Sequence, residues 1–101
     1  MTVALFAEIS PLPGNEAQVE ELLARFSERV RQEPGNLLFE AHRIVGSDSS
    51  VFVYESYCDE TAFQAHLGSA HGHEFNALLA PLVTGGGSRL TMLAPLRSDI
   101  P

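Results

Sequence analysis

Residues 36–58 read NLLFEAHRIVGSDSSVFVYESYC. Two runs rich in apolar residues, Asn36 to Val45 and Ser50 to Cys58, flank the polar stretch Gly46-Ser47-Asp48-Ser49. β-Branched and aromatic residues favour strands, and Gly, Ser and Asp favour turns, so the segment predicts a β-hairpin. Three polar residues interrupt its strands: Glu40, His42 and Glu55. The two-residue period places Glu40 and His42 on one face. If Val45 pairs with Ser50, Glu40 stands opposite Glu55, and a slip of one residue separates them; the sequence leaves that register open.

The pattern extends outward on both sides. Upstream, Val19, Leu22, Leu23, Phe26 and Val30 recur at helical spacing, with Asn15 and Gln18 placed as a capping box and Pro34-Gly35 as the stop. Before that helix, Thr2 to Ile9 alternates as a strand. Downstream, Asp59 is a suitable N-cap for a short helix through about Leu67, interrupted by Gly68-Ser69. A second helical stretch carries Phe75, Leu78, Leu79, Leu82 and Val83, with Pro81 fraying its last turn. Ser88 to Leu96 reads as the last strand, and residues 97–101 as a loose tail of a single domain spanning 1–101.

The order is therefore β-α-β-β-α-β, an α+β, ferredoxin-like arrangement: a four-stranded antiparallel sheet with helices on one face. Both faces of several strands are apolar, as with Val51 and Val53 against Phe52 and Tyr54. Helices cover only one face, so a second copy of the chain is expected on the other, giving a homodimer packed sheet to sheet.

Composition narrows the function. The 101 residues carry six Arg and no Lys against 13 carboxylates, a net charge of -7. Nucleic acid and anionic membranes require a cationic footprint, so neither is an expected partner. Without Lys there is no Schiff base and no phosphate-loop lysine. One cysteine, Cys58, permits no internal disulfide; it reads as a packed strand-end thiol, or one activated by a helix N-terminus. No apolar run is long enough for a membrane span, and the N-terminus has no basic leader, so a cytoplasmic protein is expected.

Four residues could move protons: His66, Glu55, His42 and Glu40. Histidine titrates near neutrality and suits a general base. Glu40 and Glu55 have a plainer reading as rim carboxylates paired with Arg43 or Arg89. His66, His71 and His73 cluster in sequence but lack ligand spacing, so no metal site is expected.

The segments EPGNLLFEAHR, VFVYESYCDETAFQAHLGSAH and FNALLAPL resemble the antibiotic biosynthesis monooxygenase domain family, over Thr2 to Leu96. Its marks are Pro34-Gly35-Asn36, Tyr54-Glu55, and the histidines His66 and His71. The resemblance implies a dimeric α/β barrel, with a pocket between sheet and helices. It also implies oxidation of quinols or anthrones by dioxygen without metal, flavin or haem. On that reading His66 is the base, Glu55 holds it, and His42 and Glu40 are second choices. Phe39, Phe52, Tyr54, Phe63 and Phe75 are candidates for the apolar wall, with His71 beside them. The family also includes an isomerase of phosphorylated autoinducer and members without known activity, so an isomerase or a non-catalytic small-molecule-binding dimer stands as the alternative.

Overall fold

The computed structural model describes residues 1–47 and 50–96. In chain order the elements are β1 (Val3–Ile9), α1 (Glu16–Arg31), β2 (Asn36–Arg43), β3 (Val51–Tyr57), α2 (Glu60–Leu67), α3 (Ala70–Leu79) and β4 (Arg89–Leu93). The strands form one antiparallel sheet in the order β2-β3-β1-β4. This is the ferredoxin-like arrangement that the order of elements predicts. The expected tail at 97–101 lies outside the described residues.

Local chemistry accounts for several helix ends. The Asp59 side chain accepts the Ala62 N–H at 2.8 Å and caps α2, as expected. Ser69, read only as an interruption, caps α3 by accepting the Gly72 N–H at 3.1 Å. Pro81 falls in a single 3₁₀ turn, Ala80–Leu82, just after α3. The start of α1 differs from expectation. Asn15 makes no side-chain cap, and its Nδ2 instead donates to the Leu82 carbonyl at 3.4 Å. The Glu16 carboxylate accepts the Gly14 N–H at 2.9 Å, satisfying a donor of the preceding turn.

The hairpin register is one residue away from the Val45–Ser50 pairing. Arg43 pairs with Val51, and the Ile44 N–H donates to the Ser50 carbonyl at 3.0 Å. Glu55 therefore faces Phe39, and Glu40 faces Tyr54. A bulge between Asn36 and Leu38 turns Leu37 outward.

Val51, Val53, Glu55 and Tyr57 of β3 all point to the helices and are buried. The main core joins this face to α1 and α3 through Ile9, Val19, Leu23, Phe26, Val30, Phe39, Phe75 and Leu79. A smaller core of Leu5, Tyr57 and Phe63 lies under α2. Among the described residues no helix covers the other sheet face. There Phe6 and Phe52 stack with ring centroids 4.8 Å apart, both half-buried.

Candidate functional site: a carboxylate–imidazole cluster against an apolar cavity

Between the two cores lies a cavity of about 80 Å³. Its wall includes Leu5, Phe26, Phe39, Phe63 and Phe75, and four polar side chains: Glu55 and His66 within it, and Asn76 and Ser88. Leu67, at the end of α2, and Leu90 of β4 are the strongly exposed apolar residues of the wall, at 41% and 46%. With Asn76 of α3 also exposed in the wall, the mouth lies among the end of α2, α3 and the β4 edge.

His66 comes from the last turn of α2, where a helix terminus favours a cation. Its Nδ1 lies 3.0 Å from Oε2 and 3.2 Å from Oε1 of Glu33. Glu33 follows α1 by two residues. Its Oε2 also lies 2.6 Å from Nε2 of His71, in the first turn of α3. One carboxylate thus accepts from two imidazoles, and this fixes Nδ1 of His66 as the protonated nitrogen. The lone pair at Nε2 remains, 3.7 Å from Oε1 of Glu55. Aromatic rings enclose the imidazole: Tyr57 at 4.9 Å, Phe26 at 5.9 Å and Phe63 at 6.5 Å between centroids.

Glu55 accepts the Tyr57 O–H at 2.7 Å. Burial pushes the Glu55 carboxyl above its ordinary value, against the opposing effects of the Tyr57 hydrogen bond and the nearby His66; Glu33 adds to the rise. Burial and the Glu55 and Glu33 carboxylates push the Tyr57 hydroxyl strongly upward, so it remains a donor.

The sequence-based candidates divide by strand face. Glu55, His66, Phe39, Phe63 and Phe75 line the cavity. His71 lies behind it, joined through Glu33, and lines a separate cleft between α1 and α3. Glu40, His42, Phe52 and Tyr54 stand on the other face of the sheet, because each alternates with a helix-facing neighbour. His42 lies 3.7 Å from Glu40, both well exposed. Neither arginine suggested for the carboxylates takes that role: Arg43 grips Glu20 at 2.6 and 2.9 Å, and the contacts of Glu55 are Tyr57 and His66. Cys58 is exposed rather than packed.

The orienting carboxylate expected at Glu55 is Glu33. Glu33 is 33 residues from His66 in sequence, so no local spacing shows the pair. A signal does exist. Negative charge is disfavoured at a helix C-terminus, yet Glu33 sits just beyond Arg31, immediately before Pro34-Gly35. A locally unfavourable carboxylate invites the question of what it binds.

The fold and this cluster define a small α+β protein with an aromatic-walled cavity beside a carboxylate–imidazole cluster. The chain belongs to the antibiotic biosynthesis monooxygenase family, whose sequence model matches residues 2–78. Among solved structures it is similar to Rv0793 of Mycobacterium tuberculosis, at 25% identity and a TM-score of 0.89, with 98% of this chain and 99% of that one covered. It is also similar to PA3566 of Pseudomonas aeruginosa, at 22% identity and a TM-score of 0.86, with 95% of each covered. SnoaB of Streptomyces nogalater, a cofactor-independent oxygenase solved as a point mutant, matches at 19% identity and a TM-score of 0.83, over 99% of this chain and 98% of that one. Likenesses at these identities carry the fold. No curated protein matches the chain.

Proposed function

We propose that the protein is a cofactor-independent monooxygenase that oxidises a small electron-rich aromatic, of quinol or anthrone type, with dioxygen. The observation that carries this reading is His66: its Nδ1 is held by Glu33 and its Nε2 lone pair is open beside an apolar cavity. Such an imidazole takes a proton from the substrate, while the carboxylate behind it stabilises the imidazolium that forms. The substrate anion then gives one electron to dioxygen. Superoxide and the substrate radical recombine at carbon, and the imidazolium returns its proton to the peroxide. Loss of water, with the second hydrogen from that carbon, leaves a carbonyl. Two substrate hydrogens, both from the methylene of an anthrone or one O–H and one ring C–H of a quinol, thus leave with one oxygen atom as water while the other oxygen stays on carbon as the carbonyl, and the chain supplies only a base and a water-poor cage.

The cavity's volume favours the smaller end of the substrate class. About 80 Å³ is less than the roughly 150 Å³ that admits benzene in an engineered apolar cavity. A single ring enters with modest movement of the wall, whereas a tricyclic anthrone requires the Phe26–Phe75 pair to part. The isomerase alternative is less well served. A phosphorylated substrate calls for a cation, and the described residues of the wall include no arginine.

The second partner in this reading is another copy of the chain, covering the sheet face that carries Phe6, Phe52 and Tyr54. The functional test is dioxygen consumption with a panel of quinols and anthrones, without added flavin, metal or nicotinamide. His66→Ala is expected to lower turnover by about two to four orders of magnitude, the range for loss of an acid–base group. Full activity in His66→Ala removes His66 from the role. No consumption by the wild-type protein across the panel favours the isomerase or non-catalytic readings.

A further inference from the structure

We propose that Glu55 is the buried hydrogen-bond donor of the cavity, deeper than the Asn76 amide and Ser88 hydroxyl that also line it: held as an uncharged carboxylic acid, it presents its O–H to the oxygen of a bound phenol or enol and recognises that group as the oxyanion. This deepens the reading of the cavity as an aromatic site and depends on it.

Position comes first. Glu55 is 4% exposed, and its cross-strand neighbours are Leu5 on β1 and Phe39 on β2, both buried. Neither ladder neighbour offers a polar contact. An ionised carboxylate in such surroundings requires a cation. The chain has no lysine, and three of its arginines are engaged elsewhere: Arg25 with Glu21, Arg43 with Glu20, and Arg31 with the Phe39 carbonyl. The groups facing Glu55 are Tyr57 from its own strand, His66 from α2 and, behind His66, Glu33.

Charge balance comes next. His66 is the one group among these that can become cationic, and its Nδ1 already has Glu33 at 3.0 Å. Its distance to Glu55, 3.7 Å, exceeds a hydrogen bond. The second imidazole, His71, also lies against Glu33, at 2.6 Å, so both imidazoles are hydrogen-bonded to Glu33 and neither to Glu55. A second negative charge at Glu55 would be unpaired and close to the first, so the proton stays on Glu55.

Orientation completes the case. Tyr57 donates to Oε1 at 2.7 Å, so Oε1 serves as an acceptor. No hydrogen bond among the described residues engages Oε2, and no buried side-chain oxygen or nitrogen among them lacks a partner, so Oε2 is open to the cavity that Glu55 lines. Oε2 is thus the atom that carries the donated proton. When His66 Nε2 takes the proton of a bound O–H, the oxygen left behind is an anion that accepts from Oε2–H. A buried neutral acid donating to an oxyanion is an established catalytic device.

The test has two independent arms. Infrared difference spectra of the wild-type protein against Glu55→Gln, at neutral pH and without ligand, are expected to show a protonated-carboxyl band that shifts in Tyr57→Phe. Absorbance titration with 4-nitrophenol under argon is expected to show binding as the nitrophenolate. Affinity should survive in Glu55→Gln, which keeps an N–H donor, and fall by about 10- to 100-fold in Glu55→Ala, as for loss of a hydrogen bond to a charged group. If Glu55→Ala does not fold, the infrared arm and Glu55→Gln still decide. Nitrophenolate binding with only an ionised carboxylate at position 55 overturns the donor role alone. The protonated band without any 4-nitrophenol binding overturns the aromatic-site reading and the donor role with it. Equal affinity in Glu55→Ala also overturns the proposal.

Discussion

Phe26 lies flat against Phe75, with ring centroids 4.0 Å apart and planes within 4°. Both rings line the inner cavity and also the outer cleft between α1 and α3, so this stacked pair is the wall between the two spaces. Phe75→Ala opens that wall and deletes a buried ring. The expected cost is about 3–5 kcal/mol, read as a lower denaturant midpoint at unchanged slope. Phe75→Leu keeps the partition and should cost clearly less. Equal midpoints for the two variants would show that the ring stack matters no more than apolar volume.

Glu33 is the hinge of the polar cluster. Glu33→Gln keeps the side chain's size but gives up the carboxylate that accepts from both His66 and His71. Hydrogen bonds to charged groups contribute about 1.5–3 kcal/mol, so a stability loss in that range is expected. Turnover should fall further than folding loss explains, because an amide can donate to Nδ1 and so favour the wrong tautomer of His66. Nitrogen NMR of the His66 ring reads the tautomer directly. An unchanged tautomer together with unchanged turnover would remove Glu33 from the site.

The raised Glu55 carboxyl makes a signed prediction about pH. In the unfolded chain this group ionises near its ordinary value of 4.5; in the fold it resists ionisation, mainly through burial. Between those two values the unfolded state binds fewer protons than the native state, so stability falls as pH rises. Below 4.5 both states hold the proton and the penalty vanishes. Glu55→Gln removes this contribution and should gain stability over the wild type as pH increases through that window. Denaturant midpoints taken from mildly acidic to neutral pH check it, and parallel curves for the two proteins would contradict it.

The sheet face bearing Phe6 and Phe52 supplies a test of assembly. Phe52→Asp places a charge in the stacked pair without touching the cavity wall. Light scattering is expected to give the mass of two chains for the wild-type protein and of one for the variant. A monomeric wild-type protein at micromolar concentration would leave that aromatic face to another partner.

Gly35 marks a close approach between the end of α1's loop and α2. A Cβ added there would run into the Ala62 side chain and come within 3.2 Å of the Cys58 sulfur. The Gly35 carbonyl also accepts the Cys58 N–H at 2.8 Å, so the backbone has little room to retreat. Gly35→Ala is expected to destabilise by about 1–3 kcal/mol, as for other overpacked sites, and to disturb α2, which carries His66. A thermal melt and a turnover assay on the same sample check both effects.

The sequence made the framework legible because its signals are local. Val51, Val53 and Tyr57 alternate with Phe52 and Tyr54, and Val19, Leu23, Phe26 and Val30 follow a helical stripe. Asp59 announces its own helix. The site was legible only in part, because its parts meet across long separations. Glu55 and His66 stand out as polar residues in apolar company, whereas Glu33 looks like an ordinary loop carboxylate until the fold brings α2 and α3 against it. Phe26 reads as core, and it is core; that it also bounds a cavity depends on Phe75, which lies on another helix. Strand faces are harder still. The assignment of Phe52 and Tyr54 to one side and Phe39 to the other hangs on pairing that no strand carries by itself.

That pairing makes the β2–β3 hairpin a kind of reading frame. The spacer beyond Ile44 sets which residues of β2 and β3 face each other, and with them which side chains reach the site. Shift the frame by one and Glu40 takes the place of Phe39 beside Glu55, so that an aromatic wall becomes a second carboxylate and Phe39 turns out toward the open sheet face. Descendants of this chain that keep the cavity should therefore change the spacer by two residues at a time, or offset a single insertion with another bulge like the one at Leu37.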